Sequence, residues 1–149
     1  GLAHRCQRVV SKDNITWIND SKATNVGATL AAINGLAQTL PPTNHLILIA
    51  GGEGKGADFS LLTKALEEHA STVITFGKDG DKIADLAKLV TTSKKVTDLI
   101  EAVQVAQASA NDGDIVLLSP ACASFDMFKS FADRGDTFMA AVAQMSEAS

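Results

Sequence analysis

The 149-residue sequence has no stretch approaching 18 consecutive apolar residues, so it encodes no membrane-spanning helix. No basic run interleaves with aromatics, and a net charge of −4 argues against broad nucleic-acid binding. Cys6 and Cys122 are the two cysteines and form no CxxC or Cys/His pattern, which makes a reduced, cytoplasmic setting the simplest expectation. His4, His45 and His69 lack ligand spacing, so no metal site is expected within this chain. Also missing are a charged segment leading into a short apolar one, as a signal peptide requires, and any internal repeat or low-complexity stretch. There is no initiator methionine: Gly1-Leu2-Ala3-His4-Arg5 runs directly into a strand-like segment, and we expect an excised domain. The length suits one domain with its own core and is short for two.

What is present is an alternation of strand and helix signals. Residues 5–10 and 15–19 read as strands joined by the polar turn Lys12-Asp13-Asn14, a link short enough to imply an antiparallel hairpin. A helix over 24–36 follows, capped by Thr24 or Asn25, with Val26, Leu30 and Ile33 at helical spacing and Gly35 as its C′ residue. The tandem Pro41-Pro42 marks a loop. The continuous apolar runs 46–50 and 115–118 are expected of strands buried on both faces. Between them the pattern predicts helices over 60–68 and 82–89, a strand over 72–76, a polar edge strand near 94–96, and a helix capped by Thr97 or Asp98. In that helix Ile100, Val103 and Ala106 share a face. The last helix is predicted to start near Ser124, with Asp126 in its first turn, to carry Phe128, Phe131 and Phe138 toward the core, and to be interrupted at Gly135. The sum is an α/β, Rossmann-like domain: a mostly parallel sheet of about six strands with one antiparallel N-terminal strand, and helices on both faces.

In such a sheet the strand-to-helix loops open on one edge, at the carboxyl ends of the strands. Three polar loops fall there: 20–24, 51–58 and 119–124. A lysine beside a helix start is electrostatically misplaced unless an anion completes the site, yet Lys22, Lys55 and Lys78 each precede a helix at this edge. A solvated turn accounts for any one of them, Lys78 above all. Lys22 and Lys55, with Thr24 and the loop at Ser124, suit a small ligand with two negative groups. The glycine run 51–56 is no Walker loop, since Lys55 is followed by Gly56 and the leading glycine would fall at Ile49. A dinucleotide fingerprint does fit Gly52, Gly54 and Ala57, with Asp79 as its acid, although Glu53 and Lys55 crowd it. Cys122 reads as a small packing residue rather than a nucleophile. Ser124 is open between a helix N-cap and a carboxylate donor.

The segments Asn19-Asp20-Ser21-Lys22-Ala23-Thr24-Asn25, Gly51-Gly52-Glu53-Gly54-Lys55-Gly56-Ala57-Asp58-Phe59 and Leu118-Ser119-Pro120-Ala121-Cys122-Ala123-Ser124-Phe125-Asp126 together resemble the C-terminal domain of bacterial Mur ligases. His4-Arg5, Phe128-Lys129-Ser130-Phe131 and Arg134-Gly135 fit the same pattern; Glu53 and Phe125 stand where Asp and Leu are usual. The resemblance spans nearly the whole chain. It implies an ATP-dependent, peptide-bond-forming enzyme of peptidoglycan synthesis, with D-glutamate as acceptor and UDP-N-acetylmuramoyl-L-alanine as donor. It also implies that the UDP-binding domain, the ATPase domain and the Mg2+ ligands lie outside this chain, which alone would be inactive. Carried over, Thr24 and Lys55 hold one glutamate carboxylate, and Ser124 with the backbone around Phe125 and Phe131 holds the other. Arg5 and Asp20 face the nucleotide, ATP or ADP, and Lys22 is the catalytic lysine facing the reacting region. A monomer without nucleic-acid or membrane partners is expected. Competing readings are another Mur ligase, a folylpolyglutamate synthase, or a free-standing dinucleotide-binding module.

Overall fold

The computed structural model describes residues 2–148. Six strands form one sheet in the order β1-β2-β6-β3-β4-β5. β1 (Gln7–Val9) and β2 (Thr16–Asn19) make the expected antiparallel hairpin, and every other pairing is parallel. The apolar runs become β3 (Leu46–Gly51) and β6 (Ile115–Leu118), adjacent and wholly buried at the centre. β4 (Ala70–Phe76) lies on the other side of β3, and the polar β5 (Thr92–Lys95) closes the edge with three of its four residues exposed.

The period-2 alternation of side chains divides the core into two layers. On one face Ile18, Leu46, Leu48, Val73 and Leu117 pack against α1 (Val26–Ala37), α2 (Thr63–His69) and α3 (Gly80–Ala87). On the other, Trp17, Ile47, Ile49, Ile74, Val116 and Leu118 pack against α4 (Leu99–Ser109) and α5 (Phe131–Ala148). The fold is the expected one, with helices on both faces.

Several local boundaries differ. Asn25, not Thr24, caps α1 by accepting from the Ala28 N–H at 2.9 Å. The helix runs past Gly35 to Ala37, because nothing at Gly35 stops it and the chain turns only at Thr39 and Leu40. Helix 60–68 begins as a 3-10 turn over Phe59–Leu62, with Asp58 as its cap. Asp98 caps α4, and Glu101 reaches back to the Thr97 N–H at 2.8 Å; Ile100 points outward, leaving Leu99, Ala102, Val103 and Ala106 buried. The largest shift is at the last helix. It starts at Phe131 rather than near Ser124, and Gly135 lies within it without interrupting it. The Ser130 hydroxyl accepts from the Asp133 N–H at 3.0 Å while the Asp133 carboxylate accepts from the Lys129 N–H at 3.1 Å, a reciprocal cap readable as Ser-x-x-Asp. Of the three phenylalanines only Phe138 is fully buried; Phe128 and Phe131 are half-buried.

Candidate functional site

The three polar loops meet at the carboxyl edge and are tied to one another through their backbones. Gly51 donates to the Pro120 carbonyl at 3.0 Å, Ala121 donates to the Ala23 carbonyl at 3.0 Å, and Glu53 exchanges two bonds with Ala123. Thr24 and Ser124 are each one residue from such a tie, and Lys55 is two residues from one. A fourth loop joins through Asp126, which accepts from the Lys78 N–H at 2.9 Å, and through Asp79 N–H, which donates to the Gly52 carbonyl at 2.8 Å. Gly51 makes this convergence possible: at φ +135 a Cβ there would lie 1.9 Å from the Phe76 carbonyl oxygen.

Lys22, Thr24 and Lys55 are exposed on this edge, and Lys55 sits in the left-handed region at φ +53. The Lys22 ammonium lies 5.9 Å from the centroid of the Phe131 ring, a cation–π contact with the first residue of α5. Ser124 is 2 % exposed and does not cap α5; its carbonyl closes a single turn with the Met127 and Phe128 N–H groups. Among the described residues its hydroxyl donates to no protein acceptor, so it is free for another partner. Phe125 is 66 % exposed, and only its backbone can serve the site without an apolar ligand.

Arg5 and Lys22 flank a cleft of about 490 Å³ whose floor is Ala23, Ala28, Ala31 and Ala32 and whose wall includes Asp20 and Cys6. Asp20 is 5 % exposed; it accepts from the Cys6 N–H at 3.0 Å and from the Ser119 hydroxyl at 2.9 Å. Burial pushes its carboxyl pKa up, against those two bonds. Burial and the neighbouring Asp20 charge push the Cys6 thiol up to about 11. Burial likewise takes Cys122 to about 12, so neither sulfur is a ready nucleophile at neutral pH.

The dinucleotide reading loses its acid here. The Asp79 carboxylate accepts the Gly54 N–H at 2.7 Å, the bond that chiefly holds its pKa down, and Lys82 pairs with it at 3.2 Å. The element after the glycines opens as a 3-10 turn capped by the Asp58 carboxylate, an acid where a pyrophosphate would have to sit, before α2 begins at Thr63.

The sequence reading gave Arg134 no role, yet it is fully buried. Its Nε donates to Ser21 Oγ at 2.9 Å, Nη2 to the Ser21 carbonyl at 2.7 Å and Nη1 to the Cys122 carbonyl at 2.9 Å. A signal existed: Arg134 stands at i+3 from Phe131 and i−4 from Phe138, on the apolar stripe of α5.

Residues 4–122 match the family described as Mur ligase, glutamate ligase domain. The chain is 63 % identical over 142 residues to the UDP-N-acetylmuramoylalanine--D-glutamate ligase of Colwellia psychrerythraea, covering 95 % of this chain and 30 % of that protein. It is 52 % identical over 145 residues to the ligase of the same name from Shewanella oneidensis, covering 97 % and 31 %. The chain thus spans about a third of the length of these relatives. Among solved structures, E. coli FolC in complex with DHPP and ADP aligns with a TM-score of 0.68 at 19 % identity over 97 % of this chain and 32 % of that one. The MurF ligase of Thermotoga maritima in complex with ADP gives 0.62 at 15 % identity, over 99 % and 32 %. Those two likenesses speak for the fold, while the sequence match carries the kinship. With its three loops joined at one sheet edge and the family's pattern running through 4–122, this chain belongs to the Mur ligase family as a glutamate ligase domain.

Proposed function

We propose that this chain is the C-terminal, acceptor-binding domain of a cytoplasmic ATP-dependent ligase that joins D-glutamate to UDP-N-acetylmuramoyl-L-alanine. The observation that carries the reading is the backbone tie of the three loops, which gathers Thr24, Lys55 and Ser124 at one edge with two lysines exposed there. Thr24 and Lys55 hold one carboxylate of the acceptor; the free Ser124 hydroxyl and the backbone near Phe125 and Phe131 hold the other. Charge-assisted bonds of this kind are the strong ones.

In the whole enzyme ATP transfers its γ-phosphoryl group to the donor's carboxylate, giving an acyl phosphate and ADP. The acceptor's amine, held here, displaces phosphate from that acyl carbon and loses a proton as the amide forms. Lys22 stands above Phe131 as the cation that meets the reacting groups. Arg5 and Asp20 line the 490 Å³ cleft on the nucleotide side. Asp20 has both oxygens engaged by Cys6 and Ser119, so its part is to fix the cleft wall while Arg5 offers the free charge. In this reading the Mg2+ ligands of the whole enzyme lie outside this chain.

The test is ADP release by the full-length protein given UDP-N-acetylmuramoyl-L-alanine and one amino acid at a time. Turnover should require D-glutamate, with L-glutamate and L-lysine inert; turnover with another amino acid instead overturns the assignment. The isolated domain should release no phosphate from ATP and should bind D-glutamate weakly, on the order of millimolar, because half a cleft leaves the lysines in water.

A further inference from the structure

We infer that Arg134 is a positioning residue for the acceptor site, clasping the loop of Lys22 and Thr24 to the loop of Ser124 and thereby fixing the span between the two carboxylate holders. The inference rests on the proposed acceptor site and adds a residue that the site's own chemistry does not touch.

The guanidinium is fully buried and makes no ion pair within 4 Å among the described residues, although the Asp126 charge lies near enough to favour it. An unpaired buried cation is a costly way to fasten a helix that Leu or Met would pack as well. What a guanidinium adds is a planar fork of donors in fixed directions. Here the fork divides between the loops: two bonds to Ser21, one to the Cys122 carbonyl. Ser21 is one residue before Lys22, and Cys122 two before Ser124. Ser21 also relays the clasp onward, donating to the Phe131 carbonyl at 2.6 Å, so the ring beneath Lys22 is set by the same network.

The approach of α5 is built for this reach. A Cβ at Gly135 would fall 2.1 Å from His4 Nδ1 and 3.0 Å from Asn19 Nδ2, so only glycine lets the helix come this close to β2. Asn19 in turn accepts from the Ser21 N–H at 3.1 Å, which fastens the serine from its other side. The charge remains on the guanidinium at neutral pH, since burial lowers its pKa only to about 10. Lying beneath the loops away from water, it adds to the attraction of Lys22 and Lys55 for a dianion and is screened less than they are.

The experiment uses the full-length ligase and reads three KM values, kcat and thermal midpoint for wild type, Arg134→Lys, Arg134→Met and Ser21→Ala. If wild type needs no D-glutamate for turnover, the reading of function fails before the clasp is reached. If it does, Arg134→Lys, which keeps the charge and loses the fork, should raise the KM for D-glutamate about tenfold, as loosened partners do. The KM for the UDP-linked donor should stay within about twofold, and that for ATP should rise less than that for D-glutamate, because Arg5, which offers its charge to the nucleotide, lies outside the clasped loops while Asp20 lies on one of them. Arg134→Met should shift the glutamate KM further. A lower thermal midpoint with all KM values unchanged, or all three rising together, would make Arg134 a merely structural residue and overturn the inference. Should neither Arg134 variant fold, Ser21→Ala decides: it removes only the Nε acceptor and the relay to Phe131, and the same glutamate-selective rise, about threefold, is expected. Its absence refutes the clasp.

Discussion

Two buried aspartates sit at opposite ends of the sheet and are treated in opposite ways. Asp114, before β6 at the amino edge, is 2 % exposed and accepts from Asn44 Nδ2 and the His45 N–H on one oxygen and from the Asn111 N–H on the other, at 2.9, 3.0 and 2.9 Å. Burial pulls its pKa up, but the Asn111, Asn44 and His45 donors outweigh it and the net shift is downward. Asp20, after β2 at the carboxyl edge, has two donors, and there burial wins. The amino edge is thus fully satisfied and serves stability. At the carboxyl edge the Asp20 carboxylate, with one donor on each oxygen, keeps a raised pKa beside an open cleft, which is where perturbed groups gather when a site is for use.

The largest break in that comparison is Asp114→Ala. It removes the acceptor of the His45 and Asn111 N–H groups and one of the two acceptors of Asn44 Nδ2, which keeps the Asp112 carbonyl, so unfolding free energy should fall by about 2 kcal/mol. Urea denaturation of this chain measures it; a loss below that of Asp20→Ala would reverse the roles assigned to the two ends.

Lys55→Ala should do the converse. Its loop is held by backbone bonds from Glu53 and Gly54, while the lysine side chain is exposed and makes no hydrogen bond or ion pair among the described residues. The thermal midpoint should hardly move, while the KM for D-glutamate in the full-length enzyme rises at least tenfold, about 1.4 kcal/mol, as a carboxylate loses its cation. Normal glutamate kinetics with a fallen midpoint would move Lys55 to a structural role.

How far the sequence foretold this contrast depends on what kind of bond made it. The buried strands 46–50 and 115–118, the hairpin and the edge strand follow from periodicity, and those elements alone bring the three loops to one edge. Side-chain ties across loops leave no periodic trace. Asp126 reaches the Lys78 N–H and holds 124–130 as turns, so α5 starts at Phe131, and Ser130 rather than Ser124 is its cap. Arg134 had a place on the apolar stripe, but two of its three bonds go to carbonyls of distant segments, which any residue could supply, and the third to Ser21 Oγ. The positions of the exposed candidate side chains were legible in the sequence; the scaffold beneath them was not.

Ser124→Ala tests the corrected position. Since the residue caps no helix, the usual loss of about 1 kcal/mol for a cap should not occur. A rise of roughly tenfold in the KM for D-glutamate is expected from losing one hydroxyl bond to a charged group. An unchanged KM would remove the hydroxyl from the site and leave the nearby backbone to hold the second carboxylate alone.

The smallest effect is the one that sets the two aspartates most directly against each other. A carboxyl whose pKa is lowered by folding, as for Asp114, contributes stability above its unfolded value of about 3.9, and that contribution is lost as pH falls through the folded value. One whose pKa is raised by folding, as for Asp20, favours the fold below the unfolded value, and the advantage is lost as pH rises through the folded one. Asn at either position keeps the shape and removes the titration. Asp20→Asn retains an oxygen for the Cys6 N–H, and its amide can donate to Ser119 Oγ, a hydroxyl already bonded to Thr29. At pH 7 this variant should therefore match or exceed wild type in urea midpoint, by at most about 1 kcal/mol, with the difference gone near pH 3.5. Asp114→Asn should run the other way: less stable than wild type at pH 7, converging with it as acid protonates the native carboxyl. Parallel loss in both variants at pH 7 would mean that the two ends of the sheet are fastened alike, and the contrast between a stabilising edge and a working edge would fall.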